Sequence, residues 1–159
     1  MSKAIVQSLE GGVLYSFSLV NEFIKICPDT IWEQPYGRWP VWQQLYHAFA
    51  AVDFFLRPKD APEETGPVPA PIGNLVEVAT KAPSKQLIKE YIEKTQAKAS
   101  AYMSGLDDAA LAAKNEGLSA RMGRDVTHAG TFAFLASHTM YHLGSCDAAL
   151  RQNGLPGVF

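Results

Sequence analysis

Several features are scarce in this sequence, and each scarcity excludes a class of protein. There are only two cysteines, Cys27 and Cys146, far apart in the chain and in no CxxC spacing. That excludes a disulfide scaffold and a zinc finger, and two reduced, buried thiols in a reducing compartment are expected instead. No apolar run reaches the ~18 residues that a membrane helix requires, so no membrane association is expected. Lys and Arg are scattered and the formal net charge is −2, so the basic stripe of a nucleic-acid surface is missing. Residues Met1 to Ile5 lack the basic and apolar segments of a secretory signal, which makes the cytoplasm the expected compartment. No Gly-rich phosphate loop, Ser-His-Asp arrangement or strand-like alternation of useful length is visible.

What the chain does have is helical periodicity. Its 159 residues, 47% hydrophobic and 19% charged, suit one domain spanning residues 1–159, large enough to bury a core without a staple. The first periodic segment runs from Ser2 to Ile26 through Ile5, Leu9, Val13, Phe17, Val20 and Ile24. Gly11 and Gly12 interrupt it, and their lack of a side chain is expected to let another helix approach closely. Pro28, Pro35, Gly37 and Pro40 then mark a loop. The second segment, Val41 to Leu56, stops at Arg57-Pro58, because a residue before proline is biased away from helical geometry.

Five prolines between Pro58 and Pro71 predict an extended, polyproline-like path that serves as a crossover or as a lid over one end of the helices. The third helix is expected from the N-cap Ser84 to about Met103, followed by a short helix through Ala113 capped by Asp107 or Asp108. Residues 115–124 are polar and carry no assignment. The last helix starts between Asp125 and Thr131 and runs to Gln152, where Asn153-Gly154 and Pro156 stop it. Four amphipathic helices and one long connection give an all-α, antiparallel four-helix bundle.

The candidate chemistry lies in the histidines. His138 and His142 are four residues apart on one helix, so both rings leave the same face with Cβ atoms about 5–6 Å apart. His47 falls mid-way along the second helix on a stripe with Ala50, Ala51 and Phe54. Three of the four histidines therefore occupy core-facing positions, and a buried histidine needs a hydrogen bond or a metal. On spacing alone, two readings are level: neutral histidines satisfied by buried tyrosines, glutamines or water, and a metal site.

Other candidates are weaker. Tyr46 and Tyr141 each precede one of these histidines, which turns them about 100° away around the helix and favours packing over acid catalysis. Cys146, one turn beyond His142, reads as a small core residue before it reads as a ligand or nucleophile. Asp53 reads as a surface group or ion-pair partner before a general base, and His128 as an exposed residue outside the site. Trp32, Trp39 and Trp42 cluster around the first loop as packing residues.

Two stretches carry a family resemblance. Trp42-Gln-Gln-Leu-Tyr-His47, with Asp53-Phe-Phe-Leu56 after it, resembles the DinB-like family, which includes the YfiT-like metal-dependent hydrolases. So does Ser137-His138-Thr-Met-Tyr-His142-Leu-Gly144, followed by Ala149-Leu-Arg-Gln-Asn-Gly154-Leu-Pro156. The resemblance implies a four-helix bundle in which His47, His138 and His142 together bind a divalent metal ion, and a homodimer. Many members carry Arg before the glycine that follows the second histidine and Gln after it. Leu143 and Ser145 stand there instead, so the family's substrate contacts do not carry over while the ligands do.

Three nitrogen ligands suit zinc, nickel or iron and leave coordination positions open for water or a low-molecular-weight thiol. A metal-bound histidine donates its other ring nitrogen to an acceptor, for which Gln43, Gln44 or a backbone carbonyl is available. The function implied is a metal-dependent, thiol S-transferase-like or hydrolase-like enzyme acting on an unidentified small molecule, with no identifiable general base. The alternative is a non-catalytic stress-response or small-ligand-binding helical dimer.

Overall fold

Most of the chain lies in four long helices in the computed structural model, which describes residues 2–62 and 66–159. In chain order the helices are α1 (Ala4–Ile26), the short α2 (Asp29–Trp32), α3 (Val41–Leu56), the short α4 (Ala70–Gly73), α5 (Lys85–Ser104), α6 (Glu116–Met122) and α7 (His128–Gln152). A 3-10 turn occupies Ala110–Ala112, and a two-stranded hairpin pairs β1 (Pro35–Tyr36) with β2 (Trp39–Pro40) about Gly37, whose φ of 67° is the left-handed geometry glycine tolerates. The long helices form a closed ring, with α1 against α7, α7 against α3, α3 against α5 and α5 against α1. Their inward faces carry the core, including Phe17 and Phe23 of α1, Trp42 and Phe49 of α3, Ile88 of α5 and Phe132 of α7. Fully burying an aliphatic or aromatic side chain of this kind contributes roughly 1.5–3 kcal/mol.

Contacts along the helices fix their directions. Tyr46 of α3 stacks on Tyr91 of α5, and the Phe55 carbonyl near the end of α3 shares the Asn115 amide with the hydroxyl of Tyr102 near the end of α5. α3 and α5 therefore run the same way. In contrast, Phe55 meets Phe134 while the Val41 carbonyl meets Cys146, so α3 and α7 run oppositely. Lys3 reaches the Ser104 carbonyl and Lys85 the Cys27 carbonyl, which makes α1 and α5 antiparallel. Parallel neighbours cannot be joined by a tight turn, and the proline-rich stretch is the crossover between them. It is not extended throughout, because α4 forms within it after Pro69.

The caps explain where the helices begin. Ser84 Oγ accepts from the Leu87 amide at 3.2 Å and Thr127 Oγ1 from the Gly130 amide at 3.1 Å. Asp107 caps the 3-10 turn through the Ala110 amide at 2.9 Å. Asp108 turns away from that turn and accepts from the Ile5 and Val6 amides, both at 3.0 Å, closing the open end of α1. The Ser2 hydroxyl and the Val6 and Ile5 amides hold its carboxyl below the ordinary range. The unassigned stretch after residue 115 contains α6, capped by Asn115 through the Leu118 amide at 3.0 Å. Gly11 and Gly12 do not admit a neighbouring helix: a Cβ built on either would meet nothing within 4 Å.

Asn115 is buried and does more than cap α6. Its amide nitrogen also donates to the Phe55 carbonyl at 3.3 Å and the Thr131 hydroxyl at 3.0 Å, tying α3 and α7 together. Asn115→Ala is therefore expected to cost about 2–3 kcal/mol in urea unfolding, because a cap is lost and buried groups lose a partner. Ser84→Ala removes only an exposed cap and should cost about 1 kcal/mol. Equal losses would reduce Asn115 to a cap alone.

Candidate metal centre

The opposed directions of α3 and α7 bring His47 level with the His138/His142 pair. Ring centroids are 5.2 Å apart for His47 and His138, 4.8 Å for His47 and His142, and 4.7 Å for His138 and His142. One nitrogen from each ring can be chosen so that all three lie within 4.8 Å of one another. His142 is buried, and the other two are half-buried. Typical metal–imidazole bonds of about 2.0–2.1 Å place tetrahedral ligand nitrogens roughly 3.4 Å apart. The rings therefore stand about an ångström of side-chain movement from closing on one ion.

The protonation states suit that role. His47 Nδ1 lies 2.9 Å from the Gly73 carbonyl, which can only accept, so Nδ1 carries the proton and Nε2 keeps its lone pair. The acceptor is thus a backbone carbonyl rather than Gln43 or Gln44. Among the described residues, the buried Nδ1 of His138 and of His142 has no hydrogen-bond partner, a cost of about 1–3 kcal/mol for each group left so. Burial pushes His138 down to about 4 and His142 to about 3, with repulsion from neighbouring histidines adding to it. Burial also lowers His47, against the opposing pull of the Gly73 carbonyl. All three are neutral at neutral pH, as ligands must be, so each ring has one lone pair to offer a divalent ion. The residues fit a metal ion.

His47 and His138 line a cavity of about 1190 Å³ between the helices and the crossover. Ala50, Ala51 and Phe54 of α3 and Pro67, Val68 and Pro69 of the crossover give it an apolar lining. Asp53 reaches this cavity as an ion-pair partner, taking the Tyr91 hydroxyl at 2.7 Å on one oxygen and Lys98 Nζ at 3.2 Å on the other. Burial, then Asp53, raises the Tyr91 hydroxyl's pKa well above the ordinary range.

The remaining candidates take other places. Tyr46 packs, buried, against Tyr91 with ring centroids 4.8 Å apart. Tyr141 is 75% exposed and sets its ring edge-on to His142 at 5.1 Å. Cys146 is fully buried, with Sγ 3.6 Å from the Val41 carbonyl and outside the ligand group. His128 is not exposed as expected: it is half-buried and bonds the Tyr102 hydroxyl. The feature that sequence reasoning missed is Gly73. Its only signal was a glycine amid prolines, and the reason for it is steric, since a Cβ there would stand 2.8 Å from the Tyr46 ring.

A sequence profile of the DinB superfamily matches residues 19–146 of the chain. No curated protein and no solved structure matches it.

The two thiols supply a direct check on this arrangement. Burial pushes Cys27 up to about 11 and moves Cys146 the same way, so both stay protonated and shielded at mildly alkaline pH. Native protein should leave Ellman's reagent uncoloured under those conditions and release both thiols on unfolding. Rapid reaction of one thiol in the folded protein would contradict the buried placement of that cysteine.

Proposed function

Because the chain belongs to the DinB superfamily, we propose that it is a divalent-metal-binding protein and, more specifically, a metal-dependent enzyme for a small organic substrate. The observation that carries this reading is the convergence of three neutral imidazoles from two helices, two of which, His47 and His138, line a cavity. When bound, an ion of the zinc, nickel or iron class supplies Lewis acidity and lowers the pKa of a water or thiol admitted to its open position.

The protein's own residues supply the surroundings. His47 is held in one tautomer by the Gly73 carbonyl, which aims its lone pair away from that loop. Ala50, Ala51, Phe54 and Phe55 give the cavity an apolar lining that limits the water beside a reacting group. Tyr102 also lines this cavity, with its hydroxyl engaged by His128 and Asn115. Such a site suits thiol transfer or hydrolysis of a substrate whose body is mainly apolar. The non-catalytic alternative requires a closed site, and the placement of His47 and His138 on a cavity wall favours the enzyme.

Elemental analysis of tag-free protein should find about one divalent ion per chain, and His47→Ala and His138→Ala should lose it while keeping the helical circular dichroism. Azide or imidazole should then shift the visible spectrum of cobalt-loaded protein, as an open position requires. A parent that carries no ion and takes up neither zinc nor nickel on titration would overturn the reading.

A further inference from the structure

We infer that Gln43 is a positioning residue for His47, acting through the turn that carries the Gly73 carbonyl; the inference rests on the metal-site reading above. Gln43 lies one helical turn before His47 on α3 and is fully buried, with 0% exposure. Its amide spends every hydrogen on one segment. Nε2 donates to the Ile72 carbonyl at 2.8 Å and the Glu77 carbonyl at 2.7 Å, and Oε1 accepts from the Ala79 amide at 3.1 Å. Between those anchors sits Gly73, whose carbonyl sets the tautomer of His47.

The segment needs that grip. Leu75 sits at φ 55°, in the left-handed region where a leucine costs roughly 1–2 kcal/mol. Val76 and Glu77 bend back to the Pro71 carbonyl at 2.9 and 3.0 Å, and Val76 and Val78 point to solvent. A strained turn with exposed apolar residues does not hold its shape by its own packing. The buried amide overrides that tendency from one side, and the Gly73 carbonyl conveys the result to the ligand.

Gln44 is the natural comparison. It is buried on the same helix, one residue on, and also donates to two carbonyls, those of Tyr36 and Trp39, both at 3.2 Å. It secures the hairpin, not the Gly73 turn. A purely structural role predicts similar effects from losing either amide, while a positioning role separates them.

The experiment compares Gln43→Met, Gln43→Asn and Gln44→Met with the parent. Asparagine keeps an amide that is too short for all three partners, and it serves if the methionine variant does not fold. Long-range ¹⁵N spectra of histidine-labelled, metal-free protein should give one Nδ1–H tautomer for His47 in the parent and in Gln44→Met. In either Gln43 variant, averaged tautomers are expected. Zinc affinity, measured against a chromophoric chelator, should fall about 10–100-fold for Gln43 and change less than about threefold for Gln44→Met.

An unchanged His47 tautomer in the folded Gln43 variants, or equal losses from Gln43 and Gln44, would overturn the inference. A parent that binds no zinc would sink the metal reading instead, and the tautomer spectra would then decide the role of Gln43 alone.

Discussion

Two neighbouring helices that run the same way cannot be linked by a short turn, and this constraint shapes the rest of the molecule. α3 has 16 residues, about 24 Å of rise, and the chain must retrace that length before α5 begins. Extended backbone covers the distance in roughly seven or eight residues. The connection from residue 57 to residue 84 is far longer, so it has chain to spare for wrapping. The surplus lines the cavity with Pro67, Val68 and Pro69, forms α4, and presents the Gly73 carbonyl to His47. The site is thus a product of connectivity as much as of the two helices that carry its histidines.

Electrostatics adds a second dependence. Three imidazoles with ring centroids about 5 Å apart are tolerable only if no more than one is charged, and burial already disfavours any charge. The fold therefore keeps available a set of lone pairs that water would compete for in an open cleft. Asp53 does not disturb that balance, because Tyr91 and Lys98 occupy its oxygens on the side of α5.

Local signals made much of this legible from the sequence. Pro40 and Arg57-Pro58 bracket α3, whose bounds Val41–Leu56 agree with the periodicity, and Ser84 and Gln152 mark helix ends as capping chemistry requires. Helical spacing placed His138 and His142 on one face and His47 on an inward stripe but left packing and metal binding level. The resemblance to the DinB-like family is what joined the three as ligands. Three things were not legible. α6 is a seven-residue helix begun by an asparagine whose other side-chain partners are 13 to 60 positions away, beyond any local window. His128 lies where helix-start reasoning places an exposed residue, yet Tyr102 covers it from a different helix. The acceptor for His47 is a backbone oxygen, and every residue has one, so composition cannot single it out.

The cap of α1 by Asp108 has a consequence for how the molecule assembles. Lys3, at the head of α1, offers no side-chain bond to its own helix, and the amides of Ile5 and Val6 are satisfied by a carboxylate more than a hundred residues later. Synthesis reaches α1 before α5, so the carboxylate that closes the opening turn of α1 is added only after α5 is made. The ring of helices is therefore closed by a contact of very high sequence separation, of the kind whose loop-closure entropy is recovered only late in folding.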